Sequence, residues 1–187
     1  MSGLLENQYK TLRQTFFIVD LLMFKNNAKK FFLSLLIVAL IFSFDRITKL
    51  YILNLAETSE YVDIYYNSFL NFYLIWNTGI GFGLFSSDAN FYYNFITVLI
   101  ILINIAIFIM VIKSHDYKLF FLLMILGGSL GNLFDRLYYK AVPDFIDLHY
   151  GSFHWFVFNI ADIFITIGLI CLIIAEFILN KKNNEKK

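Results

Sequence analysis

The side chains in this sequence that could carry proton-transfer chemistry are mostly aspartates in its second half. The candidates are four aspartates and two histidines: Asp135, Asp144, Asp147, Asp162, His149 and His154. Two carboxyls that face each other in an apolar cavity cannot both ionise, so such a pair shares one proton and can activate a water. This is the chemistry of aspartic proteases, and paired aspartates are therefore our leading hypothesis.

Other chemistries fit the sequence less well. Cys171 is the single cysteine and lies in an apolar run, which excludes an intramolecular disulfide and a cysteine-based zinc site. Ser129 has no obvious base beside it to make it a nucleophile. His149, His154 and an aspartate have the residue types of a zinc site, but no H-E-x-x-H motif is present and loop histidines are more often surface residues. A zinc site at these residues is possible but weakly supported.

The composition places these residues in a membrane protein. Of the 187 residues, 59% are hydrophobic and only 16% are charged, with a net charge of +1. A mean hydropathy of +0.68 is far from that of a soluble domain. The absence of a long basic run argues against nucleic acid as a partner.

Four apolar segments are long enough to cross a bilayer. The predicted spans are residues 31–53, 91–112, 118–137 and 158–179. They predict an all-α membrane protein of four transmembrane helices in one domain, residues 31–179. Residues 1–30 would be a cytoplasmic or membrane-surface leader, unless translation starts at Met23, and residues 180–187 a cytoplasmic basic tail.

The lysines predict the orientation, because short loops rich in Lys and Arg stay cytoplasmic. Lysines lie before the first span, between the second and third, and after the last: Lys25, Lys29, Lys30, Lys113, Lys118, Lys181, Lys182, Lys186 and Lys187. Both termini should then be cytoplasmic. The 54–90 segment, whose aromatic and β-branched runs predict a small sheet, should lie outside with the 138–157 loop.

Polar residues of separate spans fall at that same outer depth. Asp45 and Lys49 are placed to pair at i, i+4 in the first span, and Asn159 and Asp162 share one face of the fourth. Gly127 and the residue one turn on, Gly131, allow another helix to approach the third span closely. Ionisable groups in spans usually mark function.

Five ordered blocks resemble the bacterial lipoprotein signal peptidase (signal peptidase II) family, across residues 31–179. The blocks are Asp45-Arg-Ile-Thr-Lys49, Asn77-Thr-Gly79-Ile-Gly-Phe82, Gly127-Gly-Ser-Leu-Gly131-Asn132-Leu-Phe-Asp135-Arg136, Val142-Pro-Asp144-Phe and Phe158-Asn159-Ile-Ala161-Asp162. Each block alone would be weak, but five in order are highly specific.

The resemblance implies a catalytic dyad of Asp144 and Asp162, with Asp135 as the rival for the first position. It implies a supporting role in the site for Asp135, expected in a salt bridge with Arg136, and for the other matched positions: Asp45, Lys49, Asn77, Gly79, Asn132, Arg136, Asn159 and Ala161. Asn77, Asn132, Arg136 and Asn159 would line the site, and Asp45 and Lys49 would support it structurally.

The resemblance further implies a monomeric endopeptidase in the bacterial cytoplasmic (inner) membrane. It would remove signal peptides from diacylglyceryl prolipoproteins, cutting just before the lipobox cysteine at the outer face, in contact with membrane lipid and without a cofactor. The alternatives left by the residues alone are a small ion- or proton-coupled transporter and a non-catalytic assembly factor. A transporter would need polar residues along a whole path, whereas the inner halves of the spans are almost uniformly apolar.

Overall fold

The computed structural model describes residues 27–59, 62–79, 90–114 and 116–184. The elements are, in chain order, α1 (Asn27–Thr58), β1 (Asp63–Asn67), β2 (Leu70–Asn77), α2 (Asn90–Lys113), α3 (Lys118–Tyr139), β3 (Val142–Tyr150), β4 (Phe153–Phe158) and α4 (Ile160–Asn184). The first 26 residues of the predicted leader, the glycine-rich residues 80–89 and the last three residues of the tail lie outside the described residues.

The four helices are each long and apolar enough to cross a membrane. The predicted fold class of four membrane helices with a small sheet is confirmed. Helix α1 contains 32 residues and is longer than the predicted span over 31–53. Helix α4 begins at Ile160 rather than at residue 158, because Asn159 caps it.

The four strands form one antiparallel sheet in the order β1-β2-β3-β4. The predicted strands within 54–90 are β1 and β2, but the interpretation of 138–157 as a loop was wrong, because this segment forms β3 and β4. The first six residues of β3 are all buried, so the strand lacks the polar alternation that marks an exposed strand. Gly151, at φ 60°, makes the turn between β3 and β4.

Helix α3 is the central helix and packs against the three others. A Cβ added at Gly127 would lie 2.9 Å from Ile41 Cβ of α1, and one at Gly131 would lie 2.5 Å from an Asp45 carboxylate oxygen. A Cβ at Gly128 would lie 2.5 Å from the Ala161 carbonyl oxygen of α4. The glycines therefore let α1 and α4 approach α3 closely from two sides. The spacing of Gly127 and Gly131 predicted one of these close approaches, that of α1.

The sheet is held against the helices by an apolar cluster. Its buried members are Ile52, Val62, Phe145 and Ile146, and Ile160 and Ile163 of α4 pack against them. This packing places the start of β3 beside the first turn of α4. Two aspartates that lie 18 positions apart in sequence are thereby brought to the same end of the helical bundle.

Candidate active site

Strand β3 positions the first carboxyl of the candidate dyad, that of Asp144. It lies on β3, and its side chain is buried with only 2% of its surface exposed. One carboxyl oxygen accepts a hydrogen bond of 2.9 Å from the Asn77 side chain, and the other accepts one of 2.6 Å from the Asn159 side chain. Asn77 is the last residue of β2. Its side-chain oxygen accepts a hydrogen bond from the Gly79 N–H, which fixes the direction of the side-chain amide.

Asp162 is positioned by the start of α4. The Asn159 side-chain oxygen accepts the Asp162 N–H at 3.2 Å, and an Asp162 carboxylate oxygen accepts the Asn159 N–H at 3.1 Å. This reciprocal pair is a capping box, in which a short polar residue begins the helix and an acidic residue three positions on closes it. The other Asp162 oxygen accepts a hydrogen bond of 2.8 Å from the side chain of Asn132 on α3.

Asn159 thus contacts both carboxyls, through its side-chain amide to Asp144 and its backbone N–H to Asp162. The pKa of Asp144 is raised to about 7, first because burial disfavours the charged form and second because the negative charge of Asp162 lies close by. A pair of this kind holds one proton between two carboxyls near neutral pH, which is the state that can activate a water molecule.

Lys49 organises the polar layer next to this pair. Its ammonium group is fully buried and donates to Asp45 at 2.8 Å, to Asp135 at 2.7 Å and to the Asn132 carbonyl oxygen at 2.9 Å. These three acceptors use all three ammonium protons. Because the Asn132 oxygen faces Lys49, its NH2 group faces Asp162, and the lysine therefore orients a residue that touches the candidate dyad.

The expected ion pair between Asp135 and Arg136 was wrong. Asp135 is fully buried, and its cationic partners are Lys49 and, at 2.5 Å, Arg46 of α1. Arg136 instead donates to the backbone carbonyl oxygens of Thr78 and Gly79 at the end of β2. Neighbours in a helix point about 100° apart, so Asp135 faces α1 whereas Arg136 faces the segment after β2.

Asp45 joins α1 to the start of α4. One of its carboxylate oxygens accepts a hydrogen bond from the Lys49 ammonium group, and the other accepts one of 3.1 Å from the Ala161 N–H. This N–H is one of the first in α4 and has no acceptor within the helix. Ala161 is fully buried, and its backbone lies so close to Gly128 that a side chain at position 128 would not fit.

Asn104 and Ser129 form a separate buried polar pair between α2 and α3. The Asn104 side chain of α2 donates to Ser129 Oγ at 2.8 Å and to the Ile100 carbonyl oxygen. Ser129 therefore faces an amide, which cannot act as a base for a nucleophilic serine. The buried members of the clusters around Leu123 and Met124, by contrast, are all aliphatic, aromatic or methionine side chains.

Comparisons with known proteins identify the family of this chain. The sequence model of the family described as Signal peptidase (SPase) II matches residues 37–178, which contain the sheet, α2, α3 and most of α1 and α4. The chain belongs to the signal peptidase II family. It is therefore a peptidase and a multi-pass membrane protein.

Relatives and solved structures of similar proteins give the same result as the family match. The chain is 59% identical over 163 residues to the lipoprotein signal peptidase of Pelagibacter ubique (strain HTCC1062), covering 87% of this chain and 98% of the relative. It is 34% identical to that of Anaplasma marginale (strain Florida), covering 78% and 84% of the two chains. A bacterial membrane enzyme solved by the in meso method at 2.3 Å resolution superimposes with a TM-score of 0.62 at 30% identity, covering 82% of this chain and 91% of that one.

The sequence did not predict every contact of this peptidase's polar layer. Arg46 belongs to the first motif block, but its pairing with Asp135 was not predicted, and neither was Tyr93 of α2, which donates its hydroxyl to the Arg136 backbone carbonyl oxygen. The spacing of Arg46 and Lys49, i and i+3, was the available signal, because it places two cations on one side of α1. Tyr93 lies in an aromatic run and carries no such signal.

The remaining chemical candidates of the peptidase form a cluster of their own. Asp147, His149 and His154 come together on β3 and β4, where His154 lies 2.8 Å from Asp147. Within the described part of the chain, no hydrogen bond links this cluster to Asp144 or Asp162.

Proposed function

We propose that this chain is an aspartyl endopeptidase that removes signal peptides from diacylglyceryl-modified prolipoproteins, cutting immediately before the lipid-modified lipobox cysteine. The names of the relatives support the substrate class, since both are lipoprotein signal peptidases. The observation that carries the proposed chemistry is the position of Asn159, which donates hydrogen bonds to the carboxyls of both Asp144 and Asp162.

In this mechanism Asp144 carries the proton of the pair and Asp162 carries the charge. The pKa of Asp144 is raised to about 7 by burial and by the charge of Asp162, so this carboxyl can hold the proton at neutral pH. Its proton polarises the scissile carbonyl, while Asp162 takes a proton from the attacking water. Two donors, the Asn132 side chain and the Asn159 N–H, stabilise the Asp162 carboxylate until it accepts that proton. No metal or organic cofactor takes part in these steps.

The residues around the dyad have separate tasks in this proposal. Asn77, Asn132 and Asn159 hold the two carboxyls in their orientation, and Arg136 holds the segment after β2 through Thr78 and Gly79. The framework beneath them consists of the buried ion pairs and close contacts of Asp45, Lys49, Asp135 and Ala161.

The sheet forms the wall on which the substrate and its lipid are held. Its outward side chains include exposed aromatic residues: Tyr65, Tyr66, Phe69, Tyr150, Phe153 and Trp155. Aromatic rings are favoured at the boundary between lipid and water. With both termini cytoplasmic, this boundary is the outer face of the bacterial cytoplasmic membrane, where the end of a signal peptide emerges. The enzyme acts there as a monomer.

The position of the cut tests the substrate assignment. The purified protein in detergent is incubated with a diacylglyceryl prolipoprotein and, separately, with the same precursor lacking the diacylglyceryl group. We expect mass spectrometry to find a product that begins at the lipid-modified cysteine, and no product from the unmodified precursor. Cleavage at another bond, or no cleavage of the modified precursor by well-folded protein, would overturn the proposal.

A further inference from the structure

The cluster of Asp147, His149 and His154 lies on one face of the β3–β4 hairpin. Asp147 and His149 are two residues apart on β3, and His149 is paired with His154 across the strands. His154 Nδ1 lies 2.8 Å from Asp147 Oδ2, and His149 Nδ1 lies 3.5 Å from the same oxygen. The ligand atoms of all three lie within 4.8 Å of one another.

Two of these side chains are buried and leave polar atoms without partners. Asp147 has 0% and His149 has 8% of its side chain exposed. Among the described residues, neither Asp147 Oδ1 nor His149 Nδ1 has a hydrogen-bond partner, since the 3.5 Å contact does not meet hydrogen-bond geometry. A buried polar atom without a partner costs about 1–3 kcal/mol, so a ligand that engaged these two atoms would relieve that cost.

The geometry points to a site for a divalent transition-metal ion of the zinc type, and we propose that Asp147, His149 and His154 bind one. Zinc holds imidazole nitrogens and carboxylate oxygens at about 2.0–2.2 Å in a tetrahedron, whose ligand atoms are then about 3.3–3.6 Å apart. The 3.5 Å separation of His149 Nδ1 from Asp147 Oδ2 has that length. The 2.8 Å contact of His154 Nδ1 with the same oxygen is a hydrogen bond in this structure and would lengthen by about half an ångström around a bound ion. A nitrogen–nitrogen–oxygen ligand set also suits this class of metal better than Mg²⁺ or Ca²⁺.

The site can adjust to a metal and remains open to solvent. The His154 side chain is 51% exposed, so a shift of a few tenths of an ångström at its ring meets little resistance. A water molecule would complete the coordination from that side. The ion would connect β3 to β4 and stabilise the hairpin whose first strand carries Asp144. It is a structural site, separate from the two carboxyls proposed to cut the peptide.

Zinc binding by the full-length protein in detergent, purified without a polyhistidine tag, tests this site directly. Isothermal titration with Zn²⁺ should give one tight site, and the bound metal should raise the melting temperature. Replacing a residue that only supports a metal ligand lowers affinity about 10–100-fold, so His149→Gln and His154→Gln should each lower it at least that much. His115→Gln removes the third histidine of the chain and should leave the affinity unchanged.

A second measurement needs no variant, which matters if a substitution impairs folding. Co²⁺ bound to three protein ligands and a water should show the intense visible absorption of a tetrahedral site, and Zn²⁺ should displace it. Equal Zn²⁺ affinity of wild type and His154→Gln would overturn the proposal. A Co²⁺ spectrum that matches the aqueous ion would also overturn it and would leave a proton-mediated pair of His154 and Asp147 as the explanation.

Discussion

Lys49 of α1 donates a 2.9 Å hydrogen bond to the side-chain oxygen of Asn132 on α3. An amide has a carbonyl on one side and an NH2 group on the other, so this contact decides which group faces Asp162, together with the 3.1 Å hydrogen bond that the Asn159 side chain donates to the same oxygen. The lysine is itself held by Asp45 and Asp135, two carboxylates on different helices. A buried charge network thus reaches the proposed dyad through a single amide.

This arrangement predicts that Asn132→Ala slows cleavage without unfolding the protein. The variant removes a hydrogen bond to a charged carboxylate, which is worth about 1.5–3 kcal/mol and corresponds to a loss of about 10–100-fold in kcat. A cleavage assay in detergent measures the loss. Asn104→Ala is the matched control, because Asn104 is a buried asparagine that contacts Ser129 rather than a carboxylate. Equal rates for the two variants would contradict the proposed role of Asn132.

The pH dependence of cleavage should report the shared proton. The proposed mechanism needs Asp144 protonated, and its pKa of about 7 is raised by burial and by the charge of Asp162. As pH rises through about 7 the proton is lost, so kcat/KM should fall, approaching a tenfold decrease per pH unit. A rate that stays constant from pH 6 to pH 9, with the enzyme folded throughout, would contradict this assignment.

The raised pKa of Asp144 also makes the free energy of unfolding depend on pH. The direction of this dependence is opposite to that caused by an ordinary salt-bridged aspartate. Between about pH 4 and pH 7 the folded protein holds a proton on Asp144 that the unfolded chain has released. The contribution of Asp144 to the free energy of unfolding therefore decreases as pH rises through this window. Asp144→Asn should flatten that dependence and melt at a higher temperature than wild type at pH 8.

Asp135→Asn should reduce stability more than it reduces catalysis. Asp135 is fully buried and forms ion pairs with both Lys49 and Arg46, so its loss leaves a buried and a largely buried cation with one carboxylate fewer. Breaking a buried ion pair costs about 3–5 kcal/mol. Thermal unfolding in detergent should show a clearly lower melting temperature, while the folded fraction keeps cleaving at a partly reduced rate. A variant that melts like wild type and is inactive would instead place Asp135 in the dyad.

The parts of the fold that the sequence predicted depend on local patterns. Long apolar runs, three of them interrupted by charge near one end, identified the four helices, and the five motif blocks identified the aspartates, asparagines and glycines of the polar layer. The pairing of Asp45 with Lys49 also followed from spacing, because residues four apart share a helix face.

The parts that the sequence did not predict depend on how the elements pack. Strand β3 is buried on both faces near its start, so its side chains lack the alternation by which exposed strands are recognised. The partner of Asp135 depends on the rotation of α3 against α1, which no local pattern encodes. Asn132 was identified as a polar residue of the site, but the direction of its amide depends on a lysine 83 positions away.

The most direct test of the account compares cleavage of a diacylglyceryl prolipoprotein by wild type, Asp144→Asn and Asp162→Asn. An amide keeps the shape of the carboxyl but cannot take up or release the proton, and acid–base catalysis contributes about 10²–10⁴-fold in rate. Asp63→Asn is the control, because Asp63 is an exposed aspartate on β1. We predict a rate at least about 100-fold lower for both dyad variants and an unchanged rate for the control. Circular dichroism should show wild-type helical content for both dyad variants, and full activity of either one would contradict the aspartyl mechanism.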